Sequence, residues 1–224
     1  MRATLTSEER TTIEQAIEAA ERRTAAEFIV IIAGRSASYR RAEDAFGLIA
    51  AFVLTVGVSL AIPVYTPSGS WFSTRPAPLG LFGTLALFIV LAVAGAWLAS
   101  RSPAIIRALT PRGKMAAAVR RRATECFSTF RVRPPDSRPA VLVYVSLLER
   151  SVWITADDAV LVSLGAGSPL WAELRDKVTG GYRDGRGPAA IAQALLRAAE
   201  ALATPLPPRS APGQIANRVH LLNA

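Results

Sequence analysis

Hydrophobic residues recur along this chain in three rhythms, and each rhythm predicts a different kind of element. Two stretches, Phe46 to Tyr65 and Leu79 to Ala99, are apolar throughout and hold no Asp, Glu, Lys, Arg or His. Each runs for about 20 residues, which at a rise of roughly 1.5 Å per residue matches a hydrocarbon core of ~30 Å. Two shorter runs, Phe28 to Ile32 and Val141 to Leu147, are continuous and rich in β-branched residues. They predict strands covered on both faces. Elsewhere the apolar positions follow a helical period. Ile13, Ala16, Ile17 and Ala20 form one stripe, and Met115, Val119, Cys126, Phe127 and Phe130 a second. Trp171, Leu174 and Val178 form a third, and Ile191, Leu195, Ala198 and Leu202 a fourth.

Punctuation residues set the boundaries. Thr6 with Glu9 three positions later is a capping-box signature for the first helix. Ala33-Gly34 ends the first strand, and Tyr39 to Ala45 reads as helix running into the first apolar stretch. Pro134 and Pro135 stop the helix that follows the second stretch. Leu148-Glu149-Arg150 is short enough for a hairpin turn into a strand over Ser151 to Thr155, with Ala159 to Leu164 extending the sheet or starting another short strand. Gly165 and Gly167 make a loop, and Ser168-Pro169 starts a helix with proline at its first position. Gly180-Gly181 and Asp184 to Gly187 read as a connector before a last helix over Pro188 to Ala203. Residues 209–224 show little periodicity and read as an extended tail.

The thirteen-residue connector from Thr66 to Pro78 carries a single charge, Arg75, and is too short to fold alone. The expectation is therefore a membrane hairpin over 46–100, with spans 46–65 and 79–99, that leaves 1–45 and 101–208 on one side. Neither flanking part has enough strands for a sheet of its own. Doubly apolar strands need helices on both sheet faces, so the expected fold is one layered α/β domain interrupted by the hairpin.

Charge then gives orientation and excludes a function class. Arg35, Arg40 and Arg41 precede the first span, and Arg101, Arg107, Arg112 and Lys114 follow the second, against Arg75 alone between them. That asymmetry puts both termini in the cytoplasm. Residues 1–10 hold no apolar core of a cleavable signal, so insertion is expected to rely on the first span. The net charge of +9 invites a nucleic-acid reading. Its concentration directly after a membrane span instead fits the anionic inner leaflet, which attracts such a segment by about 1 kcal/mol per well-placed Lys or Arg. No zinc finger, RNP aromatic set or basic heptad accompanies it, and no nucleic-acid partner is expected.

Candidate chemistry is sparse. His220 is the only histidine and lies in the tail, so multi-histidine metal sites are excluded within one chain. Cys126, the only cysteine, sits on an apolar helix face and reads as core packing. Asp157 and Asp158 stand where a strand ends. With backbone carbonyls they form the candidate metal site, for Ca²⁺ or Mg²⁺, which favour oxygen ligands. Glu27, Glu149 and Asp184 are possible additions to it, and a solvated turn is the plainer reading of the pair. Gly165 and Gly167 before Ser168 suggest a weak anion nest, without Walker or dinucleotide spacing. The spans carry no ionisable group for a transport path, and Gly83, Ala86, Ala92, Gly95 and Ala99 suit close packing within the hairpin.

The opening Leu5-Thr6-Ser7-Glu8-Glu9, the run Ala26 to Ile31 and the stretch Val141 to Arg150 resemble a TPM domain. The likeness is to the bacterial membrane branch in which a two-helix transmembrane hairpin interrupts that domain. Val145-Ser146-Leu147-Leu148-Glu149-Arg150, followed by a strand ending in Ala156-Asp157, is its most specific part, and Trp171 and Asn217-Arg218-Val219 also fit. The chain departs from the branch at Arg138-Pro139-Ala140, where Arg-Thr-Gly is usual, and at Ala159, where glycine is expected. The resemblance implies a small central sheet between helices, a location in the bacterial inner membrane and a LemA-type membrane protein as partner. It also implies divalent-cation binding in some members and phosphatase activity in some plant relatives. The function expected is a membrane-anchored binding or scaffolding module. The alternative is a weak metal-dependent phosphatase, with Asp157 and Asp158 as ligands and Arg183 or Arg186 on the phosphate.

Overall fold

Strand β1 (Glu27–Ala33) is buried at every position, and its two faces point into two different cores. Phe28, Val30 and Ile32 pack with α1 (Ser7–Glu21), α7 (Pro169–Arg183) and α8 (Gly187–Ala203). Ile29, Ile31 and Ala33 pack with Val119, Ala123, Cys126 and Phe127 of α5 (Arg112–Phe130). A β-branched run without alternation is thus what a strand with helices on both sides requires. The computed structural model describes residues 4–61, 79–130, 138–165, 167–208 and 218–222.

The sheet has four strands in the order β3-β2-β1-β4. Strand β2 (Ala140–Ser146) runs parallel to β1, with Glu27 opposite Ala140 and Ala33 opposite Ser146. Strand β3 (Ser151–Ala156) returns antiparallel to β2 across a four-residue turn, and β4 (Val219–Leu222) pairs parallel with the other edge of β1. The result is the α/β architecture expected, a small mixed sheet flanked by helices.

Two local expectations are corrected. The run Ala159 to Leu164 lies in helix α6 (Asp158–Leu164) rather than in the sheet. The last rung of the ladder between β2 and β3 is Val141 opposite Ala156, and beyond it the Asp157 side chain takes the Ala140 N–H as the chain turns into α6. Only Val160 of α6 is buried, while Val162 is 83% exposed. Second, Gly180 and Gly181 lie inside α7 instead of interrupting it. A methyl group at Gly181 would collide with Ala190 of α8, so this glycine sets how closely the two helices approach. The tail, expected to be extended, contributes strand β4, whose Val219 is buried against the core. Pro134, Pro135, Asn217 and the connector Thr66 to Pro78 lie outside the described residues.

The N-terminal capping box of α1 forms as expected. The Thr6 N–H donates to Glu9 Oε2 at 2.8 Å, and the Glu9 N–H donates to Thr6 Oγ1 at 3.2 Å. Ser168 Oγ likewise caps α7, accepting from the Leu170 N–H.

Two compact units divide the chain, one of Met1–Ala37 with Gly113–Ala224 and one of Ser38–Arg112. The second unit holds α2 (Arg40–Ala61), α3 (Gly80–Arg101) and the short α4 (Pro103–Leu109). The first two are each 22 residues, with mean hydropathy 2.0 and 2.3, long and apolar enough to cross a membrane. They pack against each other through Gly47 and Gly95. A methyl on Gly95 would come within 2.9 Å of Gly47 Cα, and one on Gly47 would collide with the Ala92 carbonyl. Because Gly47 lies early in α2 and Gly95 late in α3, the helices run as an antiparallel pair. Ala92 and Gly95 thus serve packing within the hairpin, as the sequence suggested.

Candidate functional site

The parallel strands β1 and β2 end together, and polar groups gather at that end. Ser36, two residues past Gly34, donates its N–H to Glu149 Oε1 at 2.9 Å. Its hydroxyl meets Tyr144 Oη at 3.1 Å and Ser146 Oγ at 2.8 Å, and Ser146 Oγ in turn donates to Glu149 Oε2. All four side chains are buried. Main-chain bonds reinforce the join, since the Leu147 and Leu148 N–H groups donate to the carbonyls of Ala33 and Gly34. Burial pushes the Tyr144 phenol above its ordinary value, and its bond to Ser36 offsets part of that shift. This network fixes the β2–β3 turn, Leu147 to Arg150, against the loop that follows β1.

Beside the turn lies a cavity of about 370 Å³. Val145, Leu147 and Val152 supply apolar wall, and Thr179, Tyr182 and Arg183 of α7 form the opposite side. Arg150 stands at its rim with φ 49°, the only non-glycine residue at positive φ among the described residues. Neither Arg150 nor Arg183 has an ion-pair or hydrogen-bond partner among the described residues. The acidic groups next to them in sequence are engaged elsewhere: Glu149 in the network above, and Asp184 with Arg186 at 3.4 Å. The Tyr182 hydroxyl is buried and has no hydrogen-bond partner among the described residues. Burial, with the nearby Glu9 carboxylate second, pushes its phenol well above the ordinary range.

The residues singled out from sequence fall elsewhere. Asp157 lies at the opposite end of the sheet, where its N–H donates to the Ala140 carbonyl at 2.9 Å and its Oδ2 accepts the Ala140 N–H at 2.8 Å. Glu27, opposite Ala140 in register, and Arg138 are buried at the same end. Asp158 is exposed in the first turn of α6. No group of three or more His, Cys, Asp or Glu residues able to hold a metal gathers among the described residues. Glu149 and Asp184 are not brought to Asp157, and Arg186 is paired with Asp184 while Arg183 faces the cavity.

His220 lies on β4 opposite Ile31, and burial lowers its imidazole. Cys126 is buried on α5, and burial raises its thiol against the opposing pull of Arg122, which suits packing rather than reactivity. The Gly165 carbonyl accepts from the Ser168 N–H at 3.0 Å and the Trp171 indole at 3.3 Å, closing that loop on itself.

Sequence reasoning did not single out Arg150 or the serine–tyrosine–glutamate network as functional. Two signals were present: polar Tyr144 and Ser146 inside an otherwise apolar strand, and an arginine at the last position of a tight turn.

No protein-family model matches the chain, and none of the curated proteins matches it. Among solved structures it is similar to the NMR structure of the BA42 protein from the psychrophilic bacterium Bizionia argentinensis. The TM-score is 0.54 at 14% identity, over 99% of this chain and 97% of that one, a likeness of fold alone.

Proposed function

We propose that this chain is a membrane-anchored module of TPM type, acting as a binding or scaffold element for another membrane protein. In this reading α2 and α3 cross the bacterial inner membrane as a hairpin, and both termini are cytoplasmic. The observation that carries it is the exposure of the two apolar helices. Only 11% of the most apolar window of α2 and none of that of α3 is buried, and Phe52, Leu60, Leu81 and Phe82 are 64%, 74%, 77% and 84% exposed. Apolar helices that belong to a water-soluble core are buried, so these need another apolar medium. At the end of α3, Arg101 lies 3.9 Å over the Trp97 ring, a cation–π pair suited to a membrane interface. The arginines and lysine flanking the helices favour the cytoplasmic orientation, and the anionic inner leaflet is their natural counter-surface. A LemA-type partner is the choice suggested by the TPM resemblance.

The test combines topology and partner. A single cysteine at Ser70 in a Cys126→Ala background should react with an impermeant maleimide in spheroplasts without permeabilisation. Crosslinking in intact membranes, followed by purification of the tagged chain, should recover one defined integral membrane protein. Labelling only after permeabilisation would overturn the orientation, and recovery of no such protein would overturn the scaffold role.

A further inference from the structure

The cavity beside the β2–β3 turn has two arginines and no carboxylate among its lining residues. Arg150 and Arg183 both border it, and no carboxylate among the described residues neutralises either one. Both arginines are exposed as well as lining the cavity, so an anion that entered it would meet two like charges. The backbone at Arg150 is a separate sign. Its φ of 49° is the left-handed conformation that glycine or asparagine adopts with least strain. A long cationic side chain held there costs stability, and such strain gathers where a side chain has work to do. The cavity volume of about 370 Å³ is within the range for small-molecule sites.

We propose that this cavity binds a small organic oxyanion, with its charged head on Arg150 and Arg183 and its apolar body against Val145, Leu147, Val152 and the Tyr182 ring. Guanidinium forks match carboxylate and phosphate equally well in geometry, so the head group is an oxyanion of either kind. The site stands on its own residues and is independent of the anchoring and partner reading above.

Isothermal titration of the full-length chain in nonionic detergent, with benzoate, phenyl phosphate, inorganic phosphate and the neutral benzamide, tests the proposal. Benzoate or phenyl phosphate should bind, more weakly as salt rises, and the tighter of the two identifies the head group. Arg183→Gln should weaken that binding about tenfold or more. Arg150→Gly should do the same while its melting temperature stays equal to or above that of the parent, because glycine relieves the turn. That pairing separates loss of the site from loss of the fold. Binding by neither organic anion, or unchanged binding when Arg150→Gly and Arg183→Gln are combined, would overturn the proposal. So would benzamide binding equally well, or inorganic phosphate matching phenyl phosphate, since each removes one half of the recognition.

Discussion

Two tyrosines illustrate how burial without and burial with a hydrogen-bond partner differ at the scale of single residues. Tyr182 and Tyr144 are both shifted upward, chiefly by desolvation. A phenol whose folded value lies above its unfolded value of about 10 contributes stability that is complete below that pH. The contribution is lost as pH rises through the folded value. Alkaline unfolding should therefore begin above about pH 10 and should flatten in Tyr182→Phe. Near neutral pH the same variant should be neutral or stabilising by up to about 1 kcal/mol, since the lost hydroxyl has no partner among the described residues. Tyr144→Phe should instead cost about 1 kcal/mol, because it takes a partner from Ser36. Urea midpoints for both variants at about pH 8 and about pH 11 measure the difference. Equal responses would contradict the assignment of one partnered and one unpartnered phenol.

Close approach of glycines governs the hairpin at the scale of elements. Gly95 of α3 faces Gly47 of α2 with no room for a side chain, whereas a methyl on Gly57 would meet nothing within 4 Å. Gly95→Leu should destabilise the hairpin by about 1–3 kcal/mol through overpacking, and Gly57→Leu should be near neutral. Unfolding in mixed micelles of increasing SDS content, read by tryptophan fluorescence, distinguishes them; equal effects would mean the helices do not meet at Gly47 and Gly95. The strands show the same dependence on neighbours. The Phe28 to Ile32 run was readable as a doubly covered strand because every position is apolar. The Ala159 to Leu164 run is also largely apolar yet forms a helix, since the ladder ends at Val141 opposite Ala156 and Asp157 closes on the Ala140 backbone. β4 was legible only as extended chain: its four residues become a strand by pairing with the edge of β1.

Both cores and all four strands lie within Met1–Ala37 and Gly113–Ala224, so at the scale of the whole molecule the sheet depends on chain from either side of the apolar helices. Replacing Ser38 to Arg112 by a flexible Gly/Ser linker of about 15 residues should give a soluble protein with a cooperative melt. Size-exclusion chromatography and circular dichroism would check this, and an aggregated product without a transition would refute the independence of the sheet-bearing unit.

What the sequence determined by itself is what depends on runs and periods. The two apolar helices, the α/β class, the buried strands and the capped start of α1 each follow from residues adjacent in the chain or one helical turn apart. Only the tertiary structure decided what depends on distant segments meeting. Ser36 reaches Glu149 because β1 and β2 are in register, and Arg150 and Arg183 share a cavity because α7 packs beside the β2–β3 turn. It likewise put Asp157 against the Ala140 backbone and Glu149 at the other end of the sheet. The physical reason is range: a local pattern encodes which face of an element avoids water, while a site needs groups brought together from positions that no short window contains.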